Sequence, residues 1–251
     1  MASILKVGEI KSKTGNDSIS IADSGAITAN GVLTATNIQT DSIKDDSGTR
    51  VLASDSGSAW NWGSGLPSGS IVQVQYFQKT DTANMSNIDV NTDYVLQDSS
   101  SPSTSTSTTG IIQVNITPQI TNSKIWLQVQ WFGEFTAQNL ATNCMWFLYR
   151  NTTKLSPPSA SNRNVGIAGS AISYSADDDA STPEQTFFQY FDTHGQTQSE
   201  VNSGTQITYK LGFRQSVTGS RVIATNRTIA DSDTTAYERG VSSICAIELA
   251  P

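Results

Sequence analysis

The sequence predicts an all-β protein with an extended, short-stranded N-terminal segment that intertwines in a trimer. An antiparallel, jelly-roll-like β-sandwich follows it. Three observations carry the all-β part of this reading. Serine and threonine make up about a quarter of the chain, while charged residues are only 15%. Two-residue alternation of apolar and polar side chains recurs from Ile71 onward. No segment keeps a helical spacing of apolar residues over three turns.

The composition suits short strands joined by many turns, because threonine favours strands and serine favours turns. Long amphipathic helices would need more Leu, Glu, Lys and Ala.

Residues 1–66 contain two aromatic residues, Trp60 and Trp62. Such a segment has little with which to build a compact core of its own, since large side chains supply most buried area. It nevertheless repeats small apolar clusters: Ile19 and Ile21, Ile27, Val32 and Leu33, Ile38, Ile43, Val51 and Leu52. Turn signals such as Asn30-Gly31 and Ser47-Gly48 separate them. Strands this short are stabilised by neighbours, as in repeat and fibrous β structures, so we expect several copies to wind together here. Residues 57–70 (GSAWNWGSGLPSGS) read as a hinge, with Trp60 and Trp62 two apart and on one side of an extended chain.

Residues 67–251 form the predicted sandwich. Ile71–Lys79 alternates, with Val72, Val74 and Tyr76 on one face and Gln73 and Gln75 on the other. Ile112, Val114 and Ile116 alternate with Gln113 and Asn115. Lys124–Phe135 places Ile125, Leu127, Val129 and Trp131 on one face and Trp126, Gln128, Gln130 and Phe132 on the other. Cys144–Arg150, Gln185–Phe191, Gln206–Arg214, Arg221–Thr228 and Val241–Leu249 complete the set. Cys144–Arg150 and Gln185–Phe191 are apolar on both faces, which predicts that a second subunit covers their outer side. The low-complexity run 98–110 (DSSSPSTSTSTTG) reads as a surface loop.

The net charge of −7 and the lack of any basic run argue against a nucleic-acid partner. The opening Met1–Gly8 is too short and polar for a secretory signal, and no run approaches the roughly 18 apolar residues of a membrane span. We therefore expect no membrane insertion and assembly in the cytoplasm. Cys144 and Cys245 read as free thiols, and with one histidine and no Cys-x-x-Cys pair zinc is not expected.

The search for chemistry is equally sparse. The sole histidine, His194, lies in a turn-like Asp192-Thr193-His194-Gly195, and no Gly-x-Ser-x-Gly elbow accompanies it. No phosphate-binding glycine loop occurs. We expect no enzyme activity and no cofactor. The densest acidic cluster is Asp177-Asp178-Asp179, after Tyr174. Three adjacent aspartates lack the alternating spacing of an EF-hand loop. Tyr174, Asp177, Asp178 and Asp179 are instead candidate receptor contacts, because exposed loops on a rigid sandwich often carry binding.

Two segments carry a family resemblance. Ile4–Ile10 (ILKVGEI), with Lys13-Thr14-Gly15 and Ser18–Ile21, resembles the start of tail-fibre-like proteins of marine and cyanobacterial phages. Asp231–Leu249 resembles their final strands, where Arg239-Gly240, Ser242-Ser243 and Ile244 lead into a last apolar strand. Ile116-Thr117-Pro118 and Asn122–Val129 fit the same pattern.

The resemblance implies a virion structural protein that forms a homotrimer. Residues 1–66 would attach it to other virion proteins, of the tail or the capsid, with Ile4, Leu5, Val7 and Ile10 as candidate attachment residues. Residues 67–251 would face the host surface, a polysaccharide or an outer-membrane protein. A head fibre or capsid decoration protein is the alternative, and a carbohydrate-binding module a third.

Overall fold

The computed structural model describes residues 66–136, 143–158, 161–170, 181–217, 221–235 and 237–251, and the strand backbones within 9–61. The chain divides into two compact units, Met1–Asp41 and Ser42–Pro251.

In the first unit, β1 (Glu9–Lys11), β2 (Asp17–Ile21) and β3 (Ile27–Ala29) form an antiparallel sheet in that order. Ile10 pairs with Ile19, and Ile21 with Ile27. The isoleucine rhythm of the sequence thus falls on paired strands. Val32, Leu33 and Ile38 lie outside the described residues.

The second unit begins with another three-stranded antiparallel sheet of β4 (Ser42–Lys44), β5 (Arg50–Asp55) and β6 (Ala59–Asn61). Among the described residues twelve further strands follow. The first six are β7 (Ile71–Lys79), β8 (Ala83–Ser86), β9 (Asp93–Val95), β10 (Gln113–Ile116), β11 (Lys124–Phe135) and β12 (Cys144–Arg150). The others are β13 (Thr153–Leu155), β14 (Ala168–Gly169), β15 (Glu184–Asp192), β16 (Ile207–Gln215), β17 (Val222–Thr225) and β18 (Ser242–Leu249). A single-turn helix, α1 (Gln198–Asn202), is held by a capping box between Thr197 and Glu200.

These strands make two six-stranded sheets, and every named pairing is antiparallel. In sheet I, β11 is the spine. Its Lys124–Gln130 portion pairs with β18 and its Gly133–Phe135 portion with β17, end to end along one side. β15 runs along the other side, β7 flanks β18, and β8 flanks β17. In sheet II, β12 and β16 pair at the centre, β9 and β10 flank β16, and β13 and β14 flank β12.

The inner faces of the two sheets share one core. Sheet I contributes Ile125, Leu127, Val129, Trp131, Phe188 and Ile244, and sheet II Trp146, Leu148, Tyr209, Leu211 and Phe213. Trp131 meets Trp146 across the gap with ring centroids 5.0 Å apart, and Trp146 meets Phe213 at 5.9 Å. Burying one such side chain contributes roughly 1.5–3 kcal/mol.

The outer face of sheet II is clad by its own chain. Phe147 and Tyr149 point outward from β12 yet are fully buried, in a small cluster with Val95 and Ile167. This corrects the expectation that a second subunit covers Cys144–Arg150. Gly212 makes room for the layer: a Cβ there would stand 2.6 Å from the Phe147 ring and 2.9 Å from that of Tyr149. The Lys154 ammonium sits 3.9 Å over the Phe147 ring. The low-complexity run lies on the surface and is pinned. Gln97 bonds the backbone of Ser103 in both directions, and the Lys210 ammonium donates to the carbonyls of Thr106 and Thr108.

Candidate interaction surface

Sheet I is different, because most of its outer face is bare. The alternation of β7 would bury Val74 and Tyr76 and expose its glutamines. At Gln73, Val74 and Tyr76 the structure does the opposite, while Gln75 is exposed. Tyr76 is 78% exposed and Val74 48%, while Gln73 reaches inward to the Glu248 carboxyl group.

Glu248 is wholly buried at the end of β18. Its oxygens accept from Gln73 Nε2 at 2.6 Å, Ser123 Oγ at 2.7 Å, and the backbone N–H groups of Gln119 and Ile120 at 2.9 and 3.0 Å. A buried carboxyl group needs such donors, and satisfying them fixes which face of β7 turns inward.

Strand register then places the outward side chains in rows across β15, β11, β18 and β7. One row is Phe191, Trp126, Ile247 and Val74. The next is Gln189, Gln128, Cys245 and Tyr76, and the third Phe187, Gln130, Ser243 and Gln78. Phe187 is 61% and Phe191 53% exposed. Trp126 and Phe191 stack at 5.6 Å and 11°, and the indole N–H of Trp126 donates to Gln189 Oε1 at 3.2 Å. The rows are apolar or neutral polar and hold no charge. Lys124 lies just beyond them, in a cleft of about 550 Å³ lined also by Ser68, Gly69, Phe191, Leu249 and Pro251. At the opposite end Gly240 lies against the Phe132 ring and closes the face.

Beside Glu248, Ser123 and His194 form a serine–histidine–acid cluster at 3.0 Å between Oγ and Nε2. Its order is not that of a nucleophile. His194 Nδ1 accepts from the Gln196 N–H, so a neutral imidazole carries its proton on Nε2 and faces Ser123 as a donor. The acid bonds the serine rather than the histidine. All three side chains are buried, away from any substrate. Burial holds the His194 pKa below its ordinary value, with Glu248 and Asp192 opposing. Nearby, Asp192 accepts from Arg150 at 2.9 Å and from the Tyr209 hydroxyl at 2.7 Å, and burial pushes the Tyr209 pKa up. These networks tie strand ends together. Asn226 does the same at the other end of the sheet, donating to the Lys79 and Asp81 carbonyls and accepting from Ser242.

Of the residues singled out in the sequence, Tyr174, Asp177, Asp178 and Asp179 lie outside the described residues, as do Ile4, Leu5 and Val7. Ile10 lies in β1, with its backbone alone described. Both cysteines are free: Cys144 is buried in the core, and Cys245 is partly exposed on the open face. The doubly apolar pattern of Gln185–Phe191 pointed to the β15 edge of this face, whereas the outward turn of β7 went unread, although Glu248 within an apolar strand signals that a polar partner must turn toward it. Among the described residues no group of three or more His, Cys, Asp and Glu side chains could hold a metal ion, and no helix is long and apolar enough to cross a membrane. Compared with protein-family models and with curated proteins, the chain matches none.

Proposed function

We propose that this chain is a non-enzymatic structural subunit of a bacteriophage particle, a homotrimeric tail-fibre or tail-appendage protein. Residues 1–66 attach it to other virion proteins, and the two-sheet domain, jelly-roll-like in this reading, presents its loops to a host polysaccharide or outer-membrane protein. The open face of sheet I is the observation that carries the multimeric part. A strand that turns its tyrosine and valine outward while tying Gln73 inward is suited to a neighbour, and contiguous exposed apolar patches mark protein contacts. The phage origin rests on the resemblance of Ile4–Ile10 and Asp231–Leu249 to phage fibre proteins.

Light scattering on the purified full chain tests the assembly. A mass near three times 26.8 kDa is expected, and a monomer or dimer would overturn the trimer. Labelled antibodies on intact particles test the position: decoration of the tail is expected, whereas decoration of the capsid would make the chain a head fibre.

A further inference from the structure

The two strands that border the open face suit one another as partners. Among the described residues, β7 pairs only with β18 and β15 only with β11, so each has one side without a strand. Both are nine residues long. Successive antiparallel pairings across β7, β18, β11 and β15 make β7 and β15 run in opposite directions. A rotation about an axis along the strands therefore brings β15 of one copy antiparallel to β7 of the next. Such a head-to-tail contact closes into a ring when the rotation divides a full turn. Neither strand has a proline, and between Gln73 and Gln78 β7 carries neither a charge nor a break in register, so this stretch of its edge lacks the usual devices against pairing.

The width of the face selects the number of copies. The three gaps between four strands plus one junction, at about 4.8 Å each, give each copy a side about 19 Å wide. Three such sides make a triangle whose sheets stand about 5.5 Å from the axis, close to half the roughly 10 Å spacing of packed sheets. Four copies would stand about 10 Å from the axis and leave a hole. The chemistry agrees: a chain of net charge −7 repels its own copies, and the rows of this face carry none of its acidic residues.

We propose that three copies join head to tail, β15 of one beside β7 of the next, closing their open faces around a shared apolar axis. This rests on the reading above that the chain is a trimer and adds which surface makes it. Rotation keeps the rows level, so Phe191 meets Val74 of the next copy, Gln189 meets Tyr76, and Phe187 meets Gln78. The native thiol of Cys245 lies in the middle row and is enclosed.

Two measurements on the full chain test the arrangement after its mass is known. The first is labelling of Cys245 by a bulky maleimide, with a Cys245→Ser variant as the blank. At least tenfold slower labelling is expected in the intact trimer than in a Tyr76→Lys/Phe187→Lys variant with an unchanged circular dichroism spectrum. The second is oxidation of a Cys245→Ser/Tyr76→Cys/Gln189→Cys variant, which should give a covalent trimer on a non-reducing gel. The serine at 245 prevents a bond to its own strand neighbour at 76. A trimeric mass with fast labelling of Cys245 and no covalent trimer would overturn this interface while leaving the trimer standing. A monomeric mass would overturn both.

Discussion

Gln73 Nε2 lies 2.6 Å from Glu248 Oε2, and this bond between the first and last strands of the two-sheet domain sets the facing of β7. The same Gln73 amide also donates to the Thr117 carbonyl at 2.6 Å. A polar side chain thus holds the inner side of the strand, and Val74 and Tyr76 are left outside.

Removing the acceptor should be costly. Glu248→Ala removes the acceptor shared by half-buried Gln73, buried Ser123 and the backbone N–H groups of Gln119 and Ile120, while Gln73 keeps the Thr117 carbonyl and Ser123 keeps His194. We expect a loss of about 1–3 kcal/mol in urea unfolding, the range for a buried polar group that loses its charged partner. Gln73→Leu should cost about 1–3 kcal/mol. A Glu248→Ala midpoint equal to that of the wild type would remove the network from the account of β7.

His194 should make the domain acid-sensitive. Burial holds its folded pKa below the ordinary 6.5, opposed by Glu248 and Asp192 and aided by Arg150. The unfolded chain therefore takes up the proton first. This part of the stability is complete above about pH 6.5 and is lost as pH falls through the folded value. Urea midpoints measured from pH 8 to pH 5 should fall less for His194→Gln than for the wild type. Equal slopes would show that other groups govern the response.

Gly212 should tolerate no side chain. The Cβ of Gly212→Ala would stand 2.6 Å from the Phe147 ring and 2.9 Å from the Tyr94 carbonyl oxygen, a backbone atom that cannot simply rotate away. A destabilisation of about 1–3 kcal/mol is expected, as for other overpacked sites. In the core beneath, Trp146→Ala should cost about 3–5 kcal/mol. Thermal unfolding reads both.

Lys210 should be what keeps the low-complexity run down. Lys210→Ala frees the Thr106 and Thr108 carbonyls from their donor. Proteinase K should then cut within residues 98–110 at least several-fold faster, while circular dichroism stays unchanged. An unchanged cleavage rate would assign the order of this run to Gln97 and to the bonds from Asn87 and Ser86 to the Ser100 and Ser99 carbonyls.

Much of the fold was legible in the sequence because alternation is a local signal. Ile71–Lys79, Lys124–Phe135 and Cys144–Arg150 are strands with the bounds their patterns gave. β8, β9, β13 and β14 went unread, since two to four residues carry no period. Facing was the harder matter. Alternation shows that Val74 and Gln73 lie on opposite sides, but which side is inner depends on Glu248, 175 residues away. Two strands apolar on both faces had two different explanations. Phe147 and Tyr149 are covered by Val95 and Ile167 of the same chain, brought there by tertiary folding, whereas Phe187 and Phe191 are left exposed.

The position of β18 bears on timing. Residues 242–249 form the last strand of the sequence, yet they lie between β7 and β11 near the middle of sheet I. A ribosome that has released β7 and β11 has made two strands that cannot yet reach each other, and pairing over so long a separation is slow. The rows of the open face come into line only when residues 242–249 arrive. If the proposed trimer holds, a nascent chain that lacks residues 242–249 offers its neighbours no finished docking surface.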